Sequence, residues 1–90
     1  MPHVQFTRHL LRFFPDLQPG EIPGATVCEV VAALDARYPG LAEFLVDERG
    51  ALRKHVNIFV GSTLLQDRQT LSDPLDAGAE LFIMQALSGG

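Results

Sequence analysis

Ninety residues are enough for one domain, and a chain this short buries only about 60–65 % of the surface that its unfolded form exposes. Hydrophobic residues make up 47 % and charged residues 20 %, so a folded core is expected and wholesale disorder is excluded. Eleven acids against seven bases give a net charge of −4, and the bases form no Lys/Arg stripe in the sequence, which argues against nucleic acid as a partner. Apolar runs such as VVAAL and LFIM fall far short of the roughly 20 residues that a membrane helix needs, and the N-terminus lacks the basic start and apolar segment of a signal peptide. A soluble, cytoplasmic protein with no membrane partner is the expectation. Cys28 is the only cysteine, which excludes an intramolecular disulfide and a cysteine metal cluster and suits a reducing compartment.

In chain order, HVQFTRHL (residues 3–10) alternates Val4, Phe6 and Arg8 against polar neighbours and predicts a strand with one face partly buried. FFPDLQPG is a loop punctuated by Pro15, Pro19 and Gly20. A short strand is expected around Glu21 to Ala25, confined to a sheet edge because Pro23 has no N–H for the ladder. TVCEVVAALDARYPG then predicts the main helix: Thr26 and Glu29 form a capping-box pair, and Val27, Val30, Val31, Leu34 and Tyr38 lie within roughly 100° of one another at 3.6 residues per turn. Cys28 sits near the edge of that stripe and is expected to be a small packing residue. Pro39 and Gly40 end the helix, LAEFLV (41–46) suggests a short second helix or turn, and DERG (47–50) is a polar turn.

LRKHVNIFVG (52–61) reads as a central strand, with Val56, Ile58 and Val60 alternating against Asn57 and Phe59; the alternation leaves the face of Phe59 open. A short strand is expected at Thr63 to Gln66, then a loop whose Leu71 and Leu75 plug the core, then a last strand at 79–86. Strands on both sides of one amphipathic helix predict an α+β fold, a mixed sheet of four to five strands with the helix across one face, arranged as a β-grasp.

The chain closes on QALSGG, where two glycines neither cap a helix nor turn a hairpin. Taken with EIPGATVCEVVAALDARYPGL, HVNIFVG and LDAGAELFIMQALSGG, this end resembles the ubiquitin-like sulfur carriers of the MoaD/ThiS family, small β-grasp proteins that finish in Gly-Gly. IFVGSTLLQDRQTLSD carries a looser likeness to ubiquitin itself. The resemblance implies a β-grasp domain over 1–86 and a flexible tail over 87–90. It further implies that a ubiquitin-activating-like adenylyltransferase uses ATP to adenylate the Gly90 carboxylate, after which a sulfur donor protein displaces AMP and leaves a thiocarboxylate. The sulfur then passes to an acceptor enzyme, or to the larger subunit of a molybdopterin-synthase-like complex. Molybdopterin, thiazole, cysteine and secondary-metabolite pathways all fit. The chain itself is then a substrate and carrier, with no bound cofactor and no catalytic activity of its own.

Gly89 and Gly90 suit a tail that threads a narrow channel, since residues without a Cβ reach backbone angles closed to others. Gln85, Ala86, Leu87 and Ser88 lack the paired arginines of the ubiquitin tail, so ubiquitin's own activating enzyme is not the expected partner. Strand parity adds a surface: with Leu81 and Ile83 toward the helix, Phe82 and Met84 point outward. Phe82, Met84, Leu87 and Ser88, with Phe59, are the expected partner contacts.

Two other function classes fit the same residues. One is a protein modifier joined through Gly90 to lysines, for which Lys54 is the only internal linkage site; the other is a β-grasp interaction module whose tail does no chemistry. His3, His9 and His55 are too widely spaced to predict a metal site, and Asp73, Asp76 and Glu80 form no acid/base pair.

Overall fold

The computed structural model describes residues 1–85. Its elements are β1 (His3–Phe6), α1 (Arg8–Leu11), β2 (Gly20–Glu21), α2 (Val27–Arg37), α3 (Leu41–Leu45), β3 (Val56–Val60), β4 (Thr63–Leu64) and β5 (Glu80–Gln85). The five strands form one mixed sheet in the order β2-β1-β5-β3-β4, parallel between β1 and β5 and antiparallel elsewhere. First and last strands are thus neighbours in the interior of the sheet, and α2 crosses one face, as in a β-grasp.

The core follows from the two periodicities. Val27, Val30, Val31 and Leu34 line one side of α2 and are buried against Val4, Val56, Ile58, Leu81 and Ile83 of the sheet, while Leu41 and Leu45 of α3 close one side. Among the described residues no polar or charged side chain is buried, so the layer between helix and sheet is purely apolar.

Several elements differ from the sequence expectations, each for a local reason. The first strand stops at Phe6: Thr7, extended at φ −77° and ψ 158°, caps α1, and the helical turn carries Leu10 fully into the core. The second strand covers only Gly20–Glu21, on the expected edge, and Ile22 donates its N–H to the Pro2 carbonyl before Pro23 interrupts the ladder. The short strand after the hairpin is Thr63–Leu64, and the last strand begins at Glu80. Cys28 is exposed, because it lies about 110° around the helix from the centre of the valine and leucine stripe at ~100° per residue.

The start of α2 is held more fully than a capping box requires. Thr26 Oγ1 accepts from the Glu29 N–H at 3.2 Å, and Glu29 Oε1 reaches back to the Ala25 N–H at 2.9 Å, one residue beyond the cap itself. Two further N–H groups at the start of the helix, those of Val27 and Cys28, donate to the carbonyls of Asp73 and Leu71 at 3.1 and 2.8 Å. The loop before β5 therefore caps the helix. Leu71 adopts φ 55°, an uncommon conformation for a non-glycine residue, while its side chain is 2 % exposed. On the other side of the helix start, a Cβ at Gly24 would stand 2.7 Å from Val30 Cγ2 and 2.8 Å from Val30 N, so only glycine lets that loop pass.

Asp67 shapes the capping loop. Its carboxylate accepts from the N–H of Gln69, Thr70 and Ser72 and from the hydroxyls of Thr70 and Ser72. The hydroxyls of Ser72 and Thr70, and then their N–H groups, hold this carboxyl far below the usual carboxylate range. Asp73 adds a second carboxylate that receives Gln66 N and Asp67 N at 3.0 and 2.8 Å.

A carboxyl held low in the folded state binds protons less readily than it does unfolded. Its contribution is complete above the unfolded value of about 3.9 and disappears as pH falls below that toward the folded value. Urea or thermal melts of the parent and of Asp67→Asn between neutral pH and about pH 2 check this: the parent loses stability faster on acidification, and the gap between the two narrows toward low pH. A pH-independent gap would contradict the assignment.

Candidate functional site

Strand β5 alternates as its sequence predicts. Leu81 and Ile83 are 2 % and 0 % exposed beneath α2, and Phe82 and Met84 lie half-buried on the opposite face of the sheet. Register settles the open position. Phe59 pairs with Phe82 across β3 and β5, so it shares the outward face, and Asn57 pairs with Met84.

The same register reveals a member that sequence reasoning missed. Leu64 of β4 pairs with Phe59 and is 46 % exposed, which extends the row to Leu64, Phe59 and Phe82 on three adjacent strands, with Gln5 of β1 next. Side chains paired in this way stand about 4.5–5.5 Å apart at Cβ, close enough to form one apolar surface. The signal was present in the sequence: Gly61 and Ser62 make a two-residue hairpin loop, with Gly61 at φ 64°, and such a loop fixes Val60 opposite Thr63 and hence Phe59 opposite Leu64.

The end of β5 is pinned on both sides. Thr7 donates its N–H to the Ile83 carbonyl at 3.1 Å, and its Oγ1 receives the Gln85 N–H at 3.3 Å, while Val56 pairs with Gln85 from β3. Gln85, one residue beyond Met84, is therefore held at a fixed point in the sheet. Gly89, Gly90, Leu87 and Ser88 lie outside the described residues, so the expected tail and its contacts are not part of this geometry.

Two other surface features are less suited to act with that end. An open groove of ≈ 500 Å³ runs beside Gln5, Gly61, Gly78 and Phe82, at the start of β5. Phe13, 57 % exposed, stacks on Phe44 of α3 with ring centroids 4.9 Å apart, which places it on the helical layer. Among the described residues no group of three or more His, Cys, Asp or Glu side chains converges as metal ligands would, and no helix is long and apolar enough to cross a membrane.

Comparison with known proteins agrees with this arrangement. A chain of the Amycolatopsis orientalis BexX/CysO complex superposes with a TM-score of 0.84 at 25 % identity, covering 100 % of both chains. Mycobacterium tuberculosis CysO gives 0.83 at 25 % identity over 97 % of this chain and 100 % of that one. SAMP1 from Haloferax volcanii, at 23 % identity and a TM-score of 0.76 over 99 % and 98 % of the two chains, shares the fold. No curated protein matches by sequence. The ThiS family model matches residues 12–90, through the last strand and both terminal glycines, and the chain belongs to the ThiS family.

Proposed function

We propose that this protein is a sulfur carrier whose reacting group is the carboxylate of Gly90. The supporting observation is the apolar row of Leu64, Phe59 and Phe82 on the face away from α2, adjoining a β5 strand whose C-terminal end is held at a fixed point. An apolar row of this kind beside the emerging chain suits a partner enzyme that grips the sheet while drawing in the tail.

The chemistry follows from the weakness of a carboxylate as an acyl donor. In the activating enzyme, a Gly90 oxygen attacks the α-phosphorus of ATP and pyrophosphate leaves. Hydrosulfide, or a donor protein that supplies it, attacks the acyl carbon, and AMP departs with the electrons of the C–O bond. The product thiocarboxylate is ionised at neutral pH and is a soft sulfur nucleophile. ATP belongs to the partner. The domain supplies recognition, and Gly89 and Gly90 supply passage through a channel too narrow for a Cβ. The A. orientalis neighbour was solved in a BexX/CysO complex, which supports a partner-dependent role.

Two measurements test the reading. Incubation with ATP, sulfide and the cognate activating enzyme, followed by intact mass, should show one oxygen replaced by sulfur, and the variant lacking Gly89 and Gly90 should show neither adenylate nor thiocarboxylate. Conjugates to lysine without a thiocarboxylate would favour a protein modifier, and full partner binding without either product would favour a plain interaction module. Phe82→Ala should raise the KM for the carrier in ATP–pyrophosphate exchange about thirtyfold, the loss of one interface anchor worth about 2 kcal/mol, with kcat retained. An unchanged KM would remove the outward face from the interface.

A further inference from the structure

We propose that the cationic side chains around the end of β5 form a docking collar for an acidic rim on the enzyme that receives the tail; this rests on the carrier reading above. The topology assembles the collar from segments far apart in sequence. Because β1 runs parallel to β5, the residues that follow β1 arrive beside Gln85, and Thr7 is hydrogen-bonded to it. Arg8 comes next, and Arg12 one helical turn later, both exposed. Because β3 runs antiparallel to β5, the residues that precede β3 arrive on the other flank: Val56 pairs with Gln85, and Arg53 and Lys54 lie just before it, also exposed.

This second flank is rigidly presented. The Arg68 guanidinium donates to Asn57 Oδ1 at 2.8 Å and to the carbonyls of Arg53 and Val56 at 2.9 and 3.0 Å, which locks the turn that carries Lys54. Arg53 Nε donates to the Glu43 carbonyl at 3.0 Å and ties the turn to α3.

Charge is segregated to match. Three of the seven Lys and Arg residues, Arg8, Arg12 and Lys54, stand in the collar, and no Asp or Glu occurs in residues 1–15, 50–66 or 81–85, whose segments meet there; Arg53 instead lies among Glu43, Asp47 and Glu48, whose charge it partly offsets. Glu21 and Glu80, both paired with His3, and Asp76 lie at the opposite end of the sheet. A chain of net charge −4 thus presents a positive pole at the C-terminal end of β5, contiguous with the outward apolar row. A protein surface rich in Asp and Glu around a tail-receiving channel is the complementary partner, and its field would orient the carrier tail-first during encounter. Arg8, Arg12 and Lys54 are all exposed, so the expected contribution is to encounter rate and salt dependence more than to chemistry.

The test is ATP–pyrophosphate exchange with the cognate activating enzyme, from about 0.01 M to about 1 M salt, which shortens the Debye length from ~30 Å to ~3 Å. The double substitution Arg8→Glu with Lys54→Glu should raise the carrier KM about tenfold at low salt, leave kcat unchanged and flatten the salt dependence seen in the parent. Ala32→Glu with Ala77→Glu, on exposed positions away from the collar, lowers net charge by two, as Arg8→Gln with Lys54→Gln does, and should leave KM within about twofold. Arg8→Gln with Lys54→Gln should give an intermediate rise, so that an outcome owed to misfolding of the reversed variant is recognised by its absence in the neutral one.

An unchanged KM and salt slope in the double variant, while removal of Gly89 and Gly90 still abolishes exchange, would overturn the collar and leave the carrier reading standing. A rise from Ala32→Glu with Ala77→Glu equal to that from Arg8→Gln with Lys54→Gln would overturn it too, by assigning the effect to net charge. If the collar instead serves a polyanion such as nucleic acid, the substitutions abolish oligonucleotide binding and leave KM alone, which also overturns the proposal. Exchange that persists without the two glycines would overturn the carrier reading and the collar with it.

Discussion

The parallel pairing of β1 with β5 is the constraint on which the rest depends. Four residue pairs, His3 with Glu80 through Phe6 with Ile83, join the beginning of the chain to its last strand, flanked by His3 N–H to the Ala79 carbonyl and Thr7 N–H to the Ile83 carbonyl. A parallel pair cannot be closed by a hairpin, so everything between must serve as a crossover, and α2 packed on the sheet provides it. With β3 on its other side, β5 is enclosed within the sheet, both of its edges paired. Gln85, the last described residue, is therefore held by an interior strand of the sheet.

That placement ties energetics to function through parity. Burying Leu81 and Ile83 under α2 fixes the rotation of β5, and truncating such a side chain to alanine typically costs about 2–5 kcal/mol. Once the inward face is fixed, Phe82 and Met84 have no choice but the outward one, and hydrogen-bond register brings Phe59 and Leu64 alongside. The apolar row is thus a by-product of how the core is packed. The loop between β4 and β5 serves both ends, since Leu71 fills the core and its carbonyl receives the Cys28 N–H at the start of α2.

How much of this the sequence reveals depends on whether the deciding interaction is local. The stripe on α2 and the parity of β5 are periodic patterns within one element, and both are legible. Phe59 is not placed by its own strand's alternation, because Val60 is only partly buried while Val56 and Ile58 are fully so; its face follows from pairing with Phe82. HVQFTRHL alternates well enough to suggest a strand to Leu10, but a helical turn after Thr7 buries Leu10, a tertiary gain that alternation cannot register. The Asp67 network and the Arg68 clamp depend on loop closure between residues that share no repeating pattern. The spread of bases along the sequence likewise conceals the positive pole, which appears only when the sheet brings Arg8 beside one flank of Gln85 and Lys54 beside the other. The Gly-Gly end is legible as a motif, and the ThiS family match through Gly90 supports it.

The central claim is that this domain is a handle, gripped on its outward sheet face and around the end of β5, for a tail that reacts inside another enzyme. Backbone amide chemical shifts recorded while the cognate activating enzyme is titrated in test it most directly. The account predicts that changes and line broadening concentrate at Phe59, Leu64, Phe82 and Met84 and at Arg8 and Lys54, with the α2 amides from Val27 to Arg37 little affected. Changes centred on α2 and α3, with the outward face silent, would contradict it.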